Sequence, residues 1–391
     1  MMCAPAPAQT LVGTPGAAVH VIATDLAVLE AQEVRKELNC TVTPEKPLLG
    51  FDLRFHAGFE ATVPLKDIAG SENTLNILFR VTPADRSAEP SYFVQHYMVP
   101  KIDEDAGGDA ILEGVIDLGE GKYHVDWLIR DRTEKVCSFY WDMNAELPSR
   151  DREIQMEMPA GKVEAAHFEQ FTPEPAVART LDSKIEAPLK IKVLMNFAPQ
   201  NAYAHTMRPL DTIALVSVLR RITRQPEFGS FSLVAFNMQE QRVLYRQESA
   251  DQIDFPALGE TLKSIKLGTV DTKRLQNKHG DTEFLTELIQ QEMSTADHPD
   301  ALIFAGPKVM LGQQVPEETL KPLSVDYPVF YLNYAVNPQA APWRDSIGRA
   351  VRLFRGTEYT ISRPRDLWFS FTEMVARIVK SRQWRYPETT Q

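Results

Sequence analysis

The chain has 391 residues, 43% of them hydrophobic and 24% charged, which is enough apolar material for two or three globular domains. Its 42 Lys+Arg against 53 Asp+Glu leave a net charge of −11, a balance that argues against a dedicated nucleic-acid binder, because phosphate needs a basic footprint. Three cysteines are too few for a disulfide scaffold, and no apolar run approaches the ~20 residues of a transmembrane helix.

Residues 1–18 are small and proline-rich without periodicity, so they read as a flexible tail. They lack the basic start and apolar core of a complete secretory signal, which leaves a clipped remnant and a cytoplasmic start both open. Charge divides unevenly along the chain. Residues 1–189 hold 17 basic and 31 acidic side chains, whereas 190–391 hold 25 and 22. Such asymmetry between halves is a mark of separate domains.

From Leu48 to Leu147 the pattern has period two. Leu53 and Phe55 alternate with Asp52, Arg54 and His56, and Leu75, Ile77 and Phe79 with Thr74, Asn76 and Arg80. Tyr123, Val125, Trp127 and Ile129 repeat the alternation after the turn at Gly119-Glu120-Gly121. Half-buried antiparallel strands give this signature, and six to eight of them predict a β-sandwich over 19–147. The stretch GKYHVDWLIRD resembles the late strands of bacterial immunoglobulin-like sandwiches. Cys40 and Cys137 flank the region and could bridge it in an oxidising compartment, or stay as buried thiols. Cys3 lies in the tail. Residues 148–188, punctuated by Pro148, Pro159, Pro173, Pro175 and Pro188, read as an interdomain linker that could hold one strand around Glu153–Met158.

Over 189–391 short apolar runs alternate with helical spacing. Strands are expected near 191–194, 231–236, 241–246, 301–305, 329–334 and 356–361, and helices near 210–223, 255–265, 282–293 and 364–379. Alternation of this kind predicts an α/β domain with a mostly parallel, Rossmann-like sheet. The segments KIKVLMNFAPQNA, SFSLVAFNMQEQRVLYRQ, FPALGETLKSI, HGDTEFLTELIQQEM, DALIFAGPK and RGTEYTISRPRDLWFSFTEMVARIV follow one another in an order that resembles the von Willebrand factor A family. That resemblance covers about half the chain. It implies a loop crest at the carboxyl ends of the strands, with a metal held by Asp-x-Ser-x-Ser in family members. Asn196, Ala198 and Gln200 stand at those positions here, and the family's later Asp falls near Ala305 and Gly306. Neutral amides and a methyl group do not compensate a divalent cation, so no metal and no cofactor is expected. The crest residues expected to contact a partner are Asn196, Gln200, Asn201, Tyr203, His205, Asp281, Thr282, Gly306 and Lys308.

No GxSxG, HExxH, CxxC or GxxxxGK[ST] occurs in the chain. Asp103, Asp105 and Asp109 surround Gly107-Gly108, but the twelfth position from Asp103 is Gly114, so the loop fails as an EF-hand. The eight histidines are dispersed without ligand spacing. His205 and His279 could form an acid–base pair with Asp211 or Asp281. Ten Arg/Lys between 344 and 385, interleaved with Trp368 and Trp384 and preceded by Trp343, could instead take an anionic partner or form a solvated face. The sequence thus predicts a non-enzymatic protein–protein interaction or assembly protein with no catalytic residues, outside the cytoplasm. The alternatives are a hydrolase-type enzyme with its site between two domains and a structural module of a cell-envelope assembly.

Overall fold

The computed structural model describes residues 10–11, 22–70, 72–85, 89–166, 171–175, 188–200, 207, 209–265, 279–294, 298–311, 313, 315–321, 323, 325–335, 339 and 344–385. Two compact units divide the chain, one over 1–168 and the other over 169–391.

In the first unit, β1 (Thr10–Leu11), β4 (Asn73–Pro83), β5 (Ser91–Val99), β7 (Gly121–Arg130) and β8 (Val136–Ala145) form a five-stranded antiparallel sheet in the order β1-β5-β4-β7-β8. A second antiparallel sheet has the order β2-β3-β6-β9, from β2 (Thr41–Leu49), β3 (Phe55–Pro64), β6 (Asp109–Leu118) and β9 (Val163–Ala165). Alternate residues of both sheets turn inward as the period-two pattern requires. Phe59 on β3 meets Phe79 at 5.4 Å and Trp127 at 5.5 Å, both edge-on, so one aromatic cluster joins the two sheets. Helix α1 (Ala23–Ala31) lays Leu29 on Leu78, Val94, Leu128 and Val136 of the other face. Cys40 and Cys137 are bridged, with Cα atoms 6.3 Å apart. Part of the stretch expected as linker is structured. Ile154 and Met158 are buried, and β9 pairs with β6 from Leu118↔Val163 to Ile116↔Ala165.

In the second unit, β10 (Leu189–Asn196), β11 (Phe228–Asn237), β12 (Arg242–Ala250), β13 (Ala301–Pro307), β14 (Val329–Tyr334) and β15 (Thr357–Ile361) make a mixed sheet ordered β12-β11-β10-β13-β14-β15. All neighbouring pairs run parallel except β11–β12, a hairpin. Among the described residues of this unit the helices are α2 (Pro209–Thr223), α3 (Phe255–Leu262), α4 (Gly280–Met293), α5 (Glu317–Leu320), α6 (Ser346–Leu353) and α7 (Pro364–Arg385). Leu194, Val234, Phe236, Leu302, Phe304 and Tyr331 of the sheet pack with Leu285 and Ile289 of α4 and Ile347 and Val351 of α6. No described helix is long and apolar enough to cross a membrane.

The expected fold class is corrected. The chain as a whole is not of the α/β, Rossmann-like or von Willebrand factor A-like class, although four of the five strand pairs in the sheet of the second unit are parallel. The described chain is mainly β, with three sheets, of which two are antiparallel throughout and the third is mixed. Of the four helices expected in the second half, α3 stops at Leu262 rather than 265 and α7 runs on to Arg385, while the short α5 and α6, of 4 and 8 residues, lie outside the expected spans. The strand-rich half was understated, because its pairing runs on past 147 to β9.

Candidate functional site

The carboxyl ends of β10, β13 and β14 share one edge of the mixed sheet. Connections leave β10 toward β11 on one side, while β13 flanks it on the other, so the order of strands reverses between β10 and β13. Open sheets take ligands outside the strand ends at such a point. Asn196 ends β10, fully buried, and its Oδ1 accepts from the Met238 backbone N–H at 3.1 Å. Asn237 ends β11 and reciprocates: its Nδ2 donates to the Phe197 carbonyl at 2.6 Å, and its Oδ1 accepts from Glu240 N–H at 2.8 Å. Two side-chain amides therefore brace the adjoining loops. Asn196 Nδ2 is buried with no hydrogen-bond partner among the described residues. Beside it Gly306 has φ +132°, and a Cβ there would lie 2.7 Å from the Asn196 carbonyl oxygen. Only glycine permits this conformation and this approach together.

The other expected crest residues are distributed unevenly. Gln200 is buried, and Asn201, Tyr203 and His205 lie outside the described residues. Asp281 and Thr282 open α4, where Asp281 Oδ1 accepts from Thr282 N–H at 2.7 Å. The Thr282 hydroxyl donates to the Gln313 carbonyl at 3.3 Å, tying the start of α4 to the chain beyond β13. Lys308 is half-buried, whereas Met310 is 52% exposed just beyond it. Ile213, the fifth residue of α2, is 38% exposed. Asn196 and Gly306 are thus in contact, and Thr282 reaches the loop that carries Lys308.

Several residues at this edge were not found from the sequence. Tyr334 donates its hydroxyl proton to Asp211 Oδ1 at 3.2 Å, with both residues buried. Asp211, considered above as an acid–base partner of His205 or His279, is engaged in this bond. Asn333 Nδ2 donates to Glu358 Oε1 at 3.2 Å, and Arg352 approaches Glu358 Oε2 at 3.4 Å. Asp345 caps α6, its Oδ1 accepting from Ile347 N–H at 3.2 Å and Val309 N–H at 3.1 Å. Burial pushes the Asp345 carboxyl up to about 6; the Val309 N–H pulls against this and the Glu358 charge adds to it. Burial, with Asp345 and Glu358 nearby, also drives the Tyr331 hydroxyl well above the usual range. Asp345 carries a local signal, an acid just before a helical run. The Asp211–Tyr334 and Asn333–Glu358 bonds join positions 123 and 25 residues apart and carry none.

Much of the basic stretch near the carboxyl end is paired within the unit. Arg382 and Arg385 reach the buried Asp300, Arg377 pairs with Glu373, and Arg349 with Glu317 at 2.7 Å.

In the first unit, His56 stands between two carboxylates, its Nδ1 donating to Asp117 Oδ1 at 2.8 Å and its Nε2 to Asp52 Oδ1 at 3.0 Å. Arg54 lies alongside, 3.0 Å from Glu164 and 3.4 Å from Asp117. Among the described residues, Asp52, His56 and Asp117 are the group placed closely enough to share a metal ion. Burial would lower the affinity of the ring for a proton, but the hydrogen bonds to Asp117 and Asp52 outweigh it and hold His56 at about 10. The ring is therefore an imidazolium at neutral pH and donates to both carboxylates. The group is an ion-pair clamp across β3 and β6. In the sequence His56 is one more polar residue in an alternating strand.

No family model matches the chain, and no curated protein matches it. Among solved structures, a Northeast Structural Genomics Consortium target is 10% identical with a TM-score of 0.18, over 32% of this chain and 97% of that one. A glycosyl hydrolase family 2 member from Bacteroides cellulosilyticus is 8% identical with a TM-score of 0.20, over 82% of this chain and 38% of its own. A β-glucuronidase from Bacteroides uniformis is 11% identical with a TM-score of 0.20, over 75% of this chain and 36% of its own. The chain thus spans little more than a third of these two glycosidases, and at such scores the likeness carries neither fold nor activity.

Proposed function

We propose that the protein is a non-enzymatic interaction protein that takes a protein partner on the edge formed by the carboxyl ends of β10, β13 and β14. The observation that carries this reading is the bracing of that edge by Asn196 and Asn237, with Met310 and Ile213 exposed on the elements that open from it. Polar side chains that tie down loop backbone remove ordering entropy from the binding step. Exposed apolar side chains on a rigid frame supply contact area, and Lys308 supplies charge beside them. The Cys40–Cys137 bridge supports an oxidising, extracytoplasmic setting for this work.

The test is quantitative affinity purification of the tagged full chain from native extract, beside a Met310→Asp/Ile213→Asp variant with unchanged circular dichroism. At least one protein should be enriched by the parent chain and fall at least tenfold with the variant. Equal recovery by both chains, or no enrichment over an unrelated bait, overturns the reading.

A further inference from the structure

Residues 171–175 carry the sequence Phe-Thr-Pro-Glu-Pro, and in the second unit this stretch lies on α2 and α3. The Glu174 side chain is 3% exposed and is held by Arg220 in the last turn of α2 and Arg224 just beyond its end. Arg224 donates from Nε to Glu174 Oε2 at 2.8 Å and from Nη2 to Oε1 at 3.3 Å, and Arg220 pairs with Oε1 as well. Arg220 Nη2 also donates to the Thr172 carbonyl and hydroxyl oxygens, both at 3.2 Å. Its guanidinium sits 4.8 Å over the ring of Phe255, the first residue of α3. One turn on, Phe171 fills the notch left by Gly259, where a Cβ would come within 2.5 Å of the aromatic ring.

A connecting segment needs none of this. A chain that only spans a gap keeps its charges in water, whereas Glu174 is withdrawn from solvent at a cost that only close cationic partners offset. The contacts are those by which proteins hold extended peptides. An aromatic anchor enters a small-residue notch, a main-chain carbonyl is read by a guanidinium, and a carboxylate is gripped by two arginine forks. Pro173 and Pro175 restrict the segment to extended conformations, so little freedom is lost on seating.

We propose that the groove between α2 and α3 is a binding site for an extended aromatic–x–x–Glu peptide, occupied in cis by residues 171–174 and open to a partner's segment of the same chemistry once the resident leaves. Tethering favours the resident, because a short linker places it at an effective concentration in the millimolar range. The resident is therefore a guard on the site as well as its template. This site is separate from the strand-end edge of the preceding proposal and stands without it.

The probe is a fluorescein-labelled peptide with the sequence of residues 168–176, FEQFTPEPA, read by anisotropy on the full chain. With the resident disabled by Phe171→Ala/Glu174→Ala, the chain should bind the probe at least tenfold more tightly than the parent. Adding Arg224→Ala, or replacing the glutamate of the FTPE motif in the probe by glutamine, should each remove at least tenfold of that gain. Met310→Asp should leave it unchanged. A folded, resident-disabled chain that binds no better than the parent overturns the proposal. Should the double variant fail to fold, the single Glu174→Gln chain is titrated with both probes, and equal affinity for the two overturns it as well.

Discussion

The His56 clamp makes the sharpest prediction about stability. Replacing His56 by Gln keeps a donor of similar reach and removes the cation that Asp52 and Asp117 share. An ordinary imidazole titrates near 6.5 and this one is held at about 10. At ~1.4 kcal/mol per pH unit the gap corresponds to a ceiling of ~5 kcal/mol. The side chain is 35% exposed, so solvent screening reduces the expected contribution to about 1–2 kcal/mol. The sign follows from linkage. A group whose affinity for protons is higher in the folded state stabilises fully below pH 6.5, and that stability drains away as the pH rises toward 10. Urea unfolding of the parent and His56→Gln chains at half-unit steps from pH 6 to pH 10 reads the effect. The parent should be more stable by about 1–2 kcal/mol at pH 6, and the two curves should converge near pH 10. Because lysines and tyrosines titrate in both chains, the difference between the curves is the quantity that counts. Parallel curves, with a constant gap across the range, would refute the clamp.

Two further substitutions test the strand-end edge. Gly306→Ala forces a Cβ onto Asn196 at a φ of +132° and should cost about 2–3 kcal/mol, read as a lower urea midpoint with an unchanged slope. Asp345→Asn should act in the opposite direction. Asparagine still caps α6, while the charge that burial and Glu358 disfavour is gone, so the variant should gain about 1 kcal/mol at pH 7 relative to the parent. Since the parent's penalty develops as the pH rises from about 4 through about 6, the gain should vanish below pH 4, and a gain independent of pH would contradict the assignment.

What could be read in the sequence and what could not divide along the range of the interactions. Tyr123, Val125, Trp127 and Ile129 alternate because successive side chains of a strand turn to opposite faces, and they share one face of β7, whose other face is buried as well at Asp126 and Leu128. Asp254 and Asp345 precede helical runs and cap α3 and α6, again within one turn of chain. The sheet assignments are different in kind. Nothing local to 163–165 announces that it will pair with β6. The candidate sites show the same division. Asn196 and Gly306 were found because they lie where strands end, but their contact joins positions 110 residues apart. His56 and Asp117 are 61 residues apart, Asp211 and Tyr334 are 123 apart, and Glu174 and Arg224 are 50 apart. The proline-rich composition of 148–188 misled for a physical reason. Proline makes a segment extended whether it hangs in solvent or lies in a groove, and only the position of Arg220, Arg224 and Gly259 decides which. Composition registers the stiffness of a peptide, while its receptor is written elsewhere in the chain, so a docked segment and a free linker look alike until the fold brings the partners together.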